Sequence, residues 1–252
     1  MAVDSSSSFQ QNSFNIKRSL FKVHFLFFNS SEVKEVDAFL YICRMQRNAD
    51  AYYIQHHVRI HQGQLWVDGR LRIDGSRDIQ VLIQEAYAAT GMTYLKFFKM
   101  DTLSKLGILA SHFLLETVSH DTIDPFQKKL IFQNTHSSLA TDTLYAKTLK
   151  EIPSPALFVY TLPNIVMGEI AIRYGFKGEN TFFITPEFSP EPLSLYIQTL
   201  DAQFLITGYL NFDGQHADVM LCLVTSQDSN LPLNAANLQT CYSSPVLASE
   251  SH

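Results

Sequence analysis

The sequence predicts an α/β domain: a mostly parallel, five-stranded sheet, covered by helices, with an antiparallel edge hairpin. Three observations predict the α/β order. Apolar runs at 52–60, 130–134 and 181–185 have the length of strands. Helical patterns stand between them, and a helical crossover between apolar strands implies parallel pairing. Two further runs, AQFLITGYLNF and ADVMLCLVT, flank Asp213-Gly214, which is a hairpin signal.

Each element follows from its residues. YYIQHHVRI (Tyr52–Ile60) puts Ile54, Val58 and Ile60 on one face of a strand. QLWVDGRLRI carries Asp68-Gly69 between two alternating runs and reads as a hairpin. MDTLSKLGILASHFLLE (Met100–Glu116) sets Leu103, Leu106, Gly107, Ala110, Phe113 and Leu114 on one helical stripe, with Asp101 as the cap. LIFQN is a short strand. Pro163–Tyr174 is a helix, with Pro163 in its first turn, Arg173 near its negative end and Gly175 at its stop. TFFIT (Thr181–Thr185) is a buried strand, and Leu193–Leu200 a short helix. The expected division is an extension over 1–50, a domain over 51–225 and a disordered tail over 226–252. The Ser-rich residues 1–15 read as disordered, and Met45 offers an alternative start. No internal repeat is visible.

Composition narrows the class. With 252 residues, 46% hydrophobic and 17% charged, the chain is long enough for one sizeable core. A net charge of -5 gives no footprint for nucleic acid. Cys43, Cys222 and Cys241 are scattered, without a CxxC pair, so neither a disulfide framework nor a zinc site is expected, and a reducing cytoplasm is the simplest compartment. Leu20–Phe28 is too short to span a bilayer and makes a poor signal peptide.

PNIVMGEIAIRYGFKGEN (Pro163–Asn180) and the TFFITPE after it resemble a stretch of the β-ketoacyl-ACP synthases, of the thiolase-like superfamily. In that family a helix opening Pro-Asn carries a mid-helix Gly, runs into a Gly-x-x-Gly turn and leads to an apolar strand ending Thr-Ala-Cys. The Cys accepts the acyl chain. On this pattern Pro163 and Asn164 open the helix, Gly168 is the mid-helix small residue, and Gly175 and Gly178 make the turn. LDAQFLITG (Leu200–Gly208) resembles the family's Asp-Ala-Asp strand ending in Gly, and FFKMDTLSKLGILAS its first long helix. The resemblance spans 52–225 and is greatest to divergent members of Bacteroidetes type that consist of the N-terminal half alone. Those sit with lipid-like or polyene-pigment synthesis.

Two departures shape what the resemblance implies. Glu187, after Pro186, stands where the family has its nucleophilic Cys, and a carboxylate cannot hold an acyl chain as a thioester. The family's catalytic histidines and lysine belong to a C-terminal half for which the residues after Thr225 are too few. The expectation is a non-catalytic partner, like a chain-length factor, in fatty acid, polyketide or polyene-pigment synthesis. It would form a homodimer, or a heterodimer with a β-ketoacyl synthase, and meet an acyl carrier protein. Phe182, Phe183 and Thr185 are the candidates for a dimer seam or acyl tunnel. An isolated half would also expose the apolar face that meets its twin. The alternatives are an acyl-ACP decarboxylase or hydrolase using Glu187, and a stand-alone acyl-chain binding module. No cofactor is expected.

Other candidates carry less. His57 and His61 share a strand face with Arg59, and His56 points the other way, but spacing supplies no further metal ligand. Glu169 reads as a solvated or helix-supporting residue, not as a general acid or base paired with Glu187. His136 sits beside Ser137 and Ser138 without the GxSxG context of a nucleophile elbow. Lys150, Arg173 and Lys177 are cations able to meet the phosphopantetheine of a carrier protein. A buried Glu187 would have a raised pKa.

Overall fold

The computed structural model describes residues 23–27, 52–227 and 229–247. The expectations for residues 1–15 and for a start at Met45 lie outside them. The described strands form one eight-stranded mixed sheet, in the order β1-β6-β5-β7-β8-β2-β3-β4. They are β1 (Val23–Phe27), β2 (Tyr53–His61), β3 (Gln64–Val67), β4 (Arg70–Asp74), β5 (Lys128–Asn134), β6 (Asn180–Ile184), β7 (Phe204–Phe212) and β8 (Ala217–Thr225). The described α-helices are α1 (Ile79–Thr90), α2 (Thr102–Leu115), α3 (Leu139–Thr148), α4 (Pro155–Val159), α5 (Ile165–Tyr174), α6 (Pro190–Ile197) and α7 (Ala235–Leu247).

The α/β class stands, but the sheet is larger and less parallel than five mostly parallel strands. Its parallel half is β1, β6, β5 and β7, whose strands after β1 are joined by helical crossovers. Its other half is an antiparallel run from β7 through β8, β2, β3 and β4. Two-residue links dictate this: Gln62-Gly63 and Asp68-Gly69 join β2, β3 and β4, and such short turns return the chain antiparallel. The Asp213-Gly214 hairpin forms as expected, but in the middle of the sheet, because β2 pairs along the free side of β8. β1 extends the other end, parallel to β6, with Val23 opposite Asn180. The domain therefore draws on residues before 51.

A bulge in β2 corrects the one-face reading of that strand. The register with β8 shifts between Ile54 and His56, and such a slip exchanges the two faces. Val58 and Ile60 enter one core and Ile54 the other.

Each sheet face has its own core. The first lies under α1, α2 and α5, with Leu106, Leu109, Phe132, Ile170 and Phe182 in its interior. Asp101 caps α2 as expected, its side chain accepting from Ser104 N. Gly107 sets how closely α2 meets α5: a Cβ there would lie 2.3 Å from Val166 Cγ2. The second core lies under α6 and α7 and includes Leu193, Ile197, Leu205, Met220 and Leu238. Between the cores, Gly208 of β7 has φ +145, and a Cβ would fall 2.0 Å from the Met220 carbonyl oxygen.

Two expectations change here. The stretch after Thr225 is not all loose tail, because α7 buries Leu238 and Cys241 against the sheet. Nor is an apolar sheet face left bare, since α6 and α7 cover the second face with the chain's own residues. Arg59 fixes this cover. Only 3% exposed, it donates to the Tyr242 carbonyl and pairs with Asp218, while the Tyr242 hydroxyl donates to Asp218 at 2.6 Å. Burial alone would push the Asp218 pKa up. The neighbouring His61 imidazole, the Arg59 charge and the Tyr242 hydroxyl bring it down to about 2.

Candidate functional site

The strands β5, β6 and β7 run in one direction, so their C-terminal ends open on the same edge of the sheet. Ligand sites in such sheets form there. The stretch 161–187 delivers its last residues to that edge. Asn164 is the N-cap position of α5, one residue after the expected Pro163 start, and its Oδ1 is buried without a hydrogen-bond partner. Gly175 ends the helix in the left-handed region at φ 73, and its N–H bonds to the Ala171 carbonyl. Gly178 N–H meets the Lys128 carbonyl, and a Cβ on Gly178 would stand 2.5 Å from that oxygen. The two glycines thus form the turn expected of them. Gly168 is different: a Cβ there would meet nothing within 4 Å, so the fold does not require its small size.

Phe182 and Phe183 point to opposite cores. Phe182 packs edge-on to Phe132, and Phe183 edge-on to Tyr196. Both edges of β6 are taken up by strand pairing, with β5 and with β1. Thr185 continues toward the tip: its N–H bonds to the Asn134 carbonyl and its hydroxyl to the Glu187 carbonyl. The side chain of Glu187 is exposed, not buried.

The loop after β5 folds against this tip. Thr135 Oγ1 lies 2.6 Å from the Tyr209 hydroxyl and 3.3 Å from the Pro186 carbonyl. Asn211 Oδ1 accepts the backbone N–H groups of Thr135 and His136, at 3.2 and 3.1 Å. The same oxygen lies 3.1 Å from His136 Nδ1. An amide oxygen only accepts, so the ring nitrogen facing it is the donor of that contact. Ser138 donates to the Thr161 carbonyl and to Asp142, and Ser137 has its N–H on Asn134 Oδ1 with a strained φ of +51. The edge therefore joins a fixed imidazole, a threonine–tyrosine pair and an exposed carboxylate. Cys222 and Cys241 are both part of the second core instead. Acyl transfer through a thioester has no described nucleophile at this edge. Asn211 and Tyr209 escaped the sequence reading. An Asn at the end of the apolar run LITGYLN was the available signal.

A helical arm begins at the same loop. α3 and α4 span Leu139–Val159, and the Ser138–Thr161 bond closes the arm at its base. Thr141 ties it to the α2 cap by donating to Asp101 Oδ2 at 2.9 Å, and Tyr145 packs on Phe158. Otherwise the arm turns its apolar residues outward. Leu144, Leu149, Phe158 and Leu162 are at least half exposed, and Ile152 is 84% exposed.

The remaining candidates resolve as follows. Glu169 is not solvated. It is 4% exposed, pairs with Lys96 Nζ at 2.6 Å and accepts from the Tyr160 hydroxyl at 3.1 Å. His56 and His57 both face Asp68, at 2.8 and 3.5 Å, while His61 faces Asp218 at 3.6 Å. Arg173 stacks on Tyr94, 4.4 Å from the ring centre, while Lys150 and Lys177 are exposed. Among the described residues no helix is long and apolar enough to cross a membrane.

No family model matches this chain, and no curated protein does. Solved structures do. One is the ishigamide ketosynthase/chain length factor, with 16% identity and a TM-score of 0.48, over 73% of this chain and 64% of that one. Another is a type II PKS acyl-carrier protein in complex with its ketosynthase bound to the hexaketide (AntDE:AntF), with 13% identity and a TM-score of 0.48, over 69% of this chain and 62% of that one. A third is the ketosynthase ApeO in complex with its chain length factor ApeC from Xenorhabdus doucetiae, with 11% identity and a TM-score of 0.45, over 60% of this chain and 73% of that one. The chain spans less than two thirds of the first two. Its structural neighbours are ketosynthase and chain-length-factor proteins.

Proposed function

We propose that this chain is a non-catalytic, ketosynthase-like subunit that acts on a ketosynthase partner, as a chain-length factor does, in fatty acid, polyketide or polyene-pigment synthesis. The observation that carries the reading is the β6 tip. The stretch resembling the synthase nucleophile region ends on the exposed Glu187, and the cluster around it holds no described thiol. A carboxylate cannot hold an acyl chain as a thioester, and the mixed anhydride it could form lies uphill of the thioester that would supply the chain.

The arm supports the second half of the reading. Leu149 and Ile152 occupy a connection between helices that buries little of its own apolar surface, which is the signature of a surface made for a protein. It starts at Ser138, two residues from the His136–Asn211 contact, so its base lies beside the loop that folds against the Glu187 edge. The acyl carrier protein is the second partner in this reading, met through the ketosynthase.

The test is the native mass of the purified chain, alone and mixed with the ketosynthase encoded nearest to it. The expected result is a 1:1 complex whose ketosynthase activity is unchanged by Glu187→Ala. A chain that stays apart from the synthase would overturn the reading. So would acyl-ACP turnover by the chain alone that disappears in Glu187→Ala, which would make Glu187 a catalytic residue.

A further inference from the structure

The loop that leads from α2 to β5 passes the base of the sheet, at the opposite end from Glu187, and His120 is its point of contact with the strands. Lys128 and Phe204 are the first residues of β5 and β7 and stand opposite each other in that pairing; Tyr174 is the last residue of α5. The His120 imidazole meets all three. Its Nδ1 lies 3.2 Å from Lys128 Nζ, and its ring centre lies 5.4 Å from that of Phe204 and 6.4 Å from that of Tyr174. Phe204 is buried in the first core and packs in turn on Phe176, so the imidazole covers the base of that core. Val118 and Ile123 of the same loop pack against it too.

An ammonium only donates, so the ring nitrogen facing it accepts, and the imidazole in this contact is neutral. Protonation would set a second positive charge against Lys128, whose side chain is buried where water screens little. We propose that His120 is a pH-sensitive latch. Neutral, it holds the loop across the base of the sheet; protonated, it leaves Lys128 and Phe204, and the loop opens.

Among the described residues, the charged and titratable groups around the imidazole are Lys128 from β5, Tyr174 from α5 and Asp121 from its own loop, while β7 presents the Phe204 ring. Burial holds His120 below its ordinary pKa and the Lys128 charge adds to the effect; the exposed Asp121 opposes both. A histidine lowered on folding takes its proton more readily in the unfolded chain. Its contribution to stability is therefore complete above the ordinary histidine value and is lost as pH falls from there through the lowered one. The latch uses none of the residues of the Glu187 edge and stands or falls separately from the proposed function.

The experiment takes the full-length chain, native, His120→Gln and Lys128→Met, from about pH 8 to about pH 5, a range that brackets the ordinary histidine value. Gln keeps an acceptor for Lys128 but does not titrate. The His120 ring is followed by NMR, the protection of residues 116–127 by amide hydrogen exchange, and stability by the urea midpoint. His120 should titrate below the ordinary histidine value, and Lys128→Met should move that titration back up. Relative to His120→Gln at the same pH, the native chain should lose both loop protection and urea midpoint toward the acid end. A loop that keeps its protection after His120 has titrated would overturn the proposal, and the native chain alone reads that outcome. Equal acid losses in the native and His120→Gln chains, or a His120 titration unmoved by Lys128→Met, would do the same.

Discussion

Helices α2 and α3 are both rich in apolar residues, yet they end in opposite surroundings. α2 buries nearly its whole length, from Leu103 to Leu115, against the sheet and α5. The only buried residue of α3 is Thr141, and its leucines face outward. The difference is one of pattern. In α2 the apolar residues recur on a stripe, and Gly107 lets that stripe come close to Val166. Leu139, Leu144 and Leu149 follow no such stripe, and the arm is tied down by polar bonds at its base. Apolar content shows that a segment needs cover; its arrangement decides whether the cover comes from the same chain.

This contrast is open to attack at several points, and the largest effect belongs to the core pair. Gly107→Leu should lower stability by about 3 kcal/mol in urea unfolding, because Val166 cannot yield the space without displacing α5. A loss under 1 kcal/mol would show that the two helices are not locked. Next is Glu169, which links the core pair to the residue after α4 through Tyr160. Glu169→Ala removes the partner of a buried hydroxyl and should cost about 2 kcal/mol, with Tyr160→Phe recovering part of it in the double mutant.

Thr141→Val tests the tie between arm and core, and should cost about 1 kcal/mol while leaving the core transition cooperative. Asp101, at the other end of that tie, supplies a pH dependence. Burial pushes its carboxyl above the usual range, against the hydrogen bonds from Ser104 and Thr141. A carboxylate raised on folding binds its proton more tightly in the native state. Its contribution is therefore favourable at low pH and is lost as pH rises from the ordinary carboxylate value through the raised one. Asp101→Asn should remove this fall, so the stability of wild type relative to the variant declines across that window. A relative rise would refute the assignment.

The smallest effect on stability carries the sharpest functional meaning. Leu149→Asp with Ile152→Asp should change stability by no more than about 0.5 kcal/mol, since both side chains are exposed. The same pair should abolish the complex with a ketosynthase in a native-mass or binding assay. Unchanged binding would remove the arm from the interface.

Much of the fold could be read from the residues. The strands around Leu130 and Thr181, the α2 stripe with its Asp101 cap, the Gly175 helix stop and both Asp-Gly hairpins are local in cause, and each formed. The misses have non-local causes. α7 is weakly patterned, and only contact with Arg59 and the second core gives it a place. The β2 bulge is invisible in the alternation of YYIQHHVRI, because it arises in pairing with β8. Glu169 looks like a surface residue until Lys96 and Tyr160 arrive from other segments.

The candidate site divides in the same way. The sequence by itself determined that a glycine turn leads into a buried strand ending on Glu187, because turn, strand and tip are consecutive residues with local conformational needs. It also determined that a carboxylate, not a thiol, follows that strand. Only the tertiary structure decided what gathers around it. Asn211 reaches His136 and Tyr209 reaches Thr135 because β7 lies parallel to β5, a pairing between segments more than seventy residues apart. Likewise, the sequence supplied the apolar side chains of the arm, and the polar bonds at Ser138 and Thr141 decided that they face outward. Local preferences act between neighbours along the chain, whereas a buried donor takes its acceptor from whichever strand lies alongside.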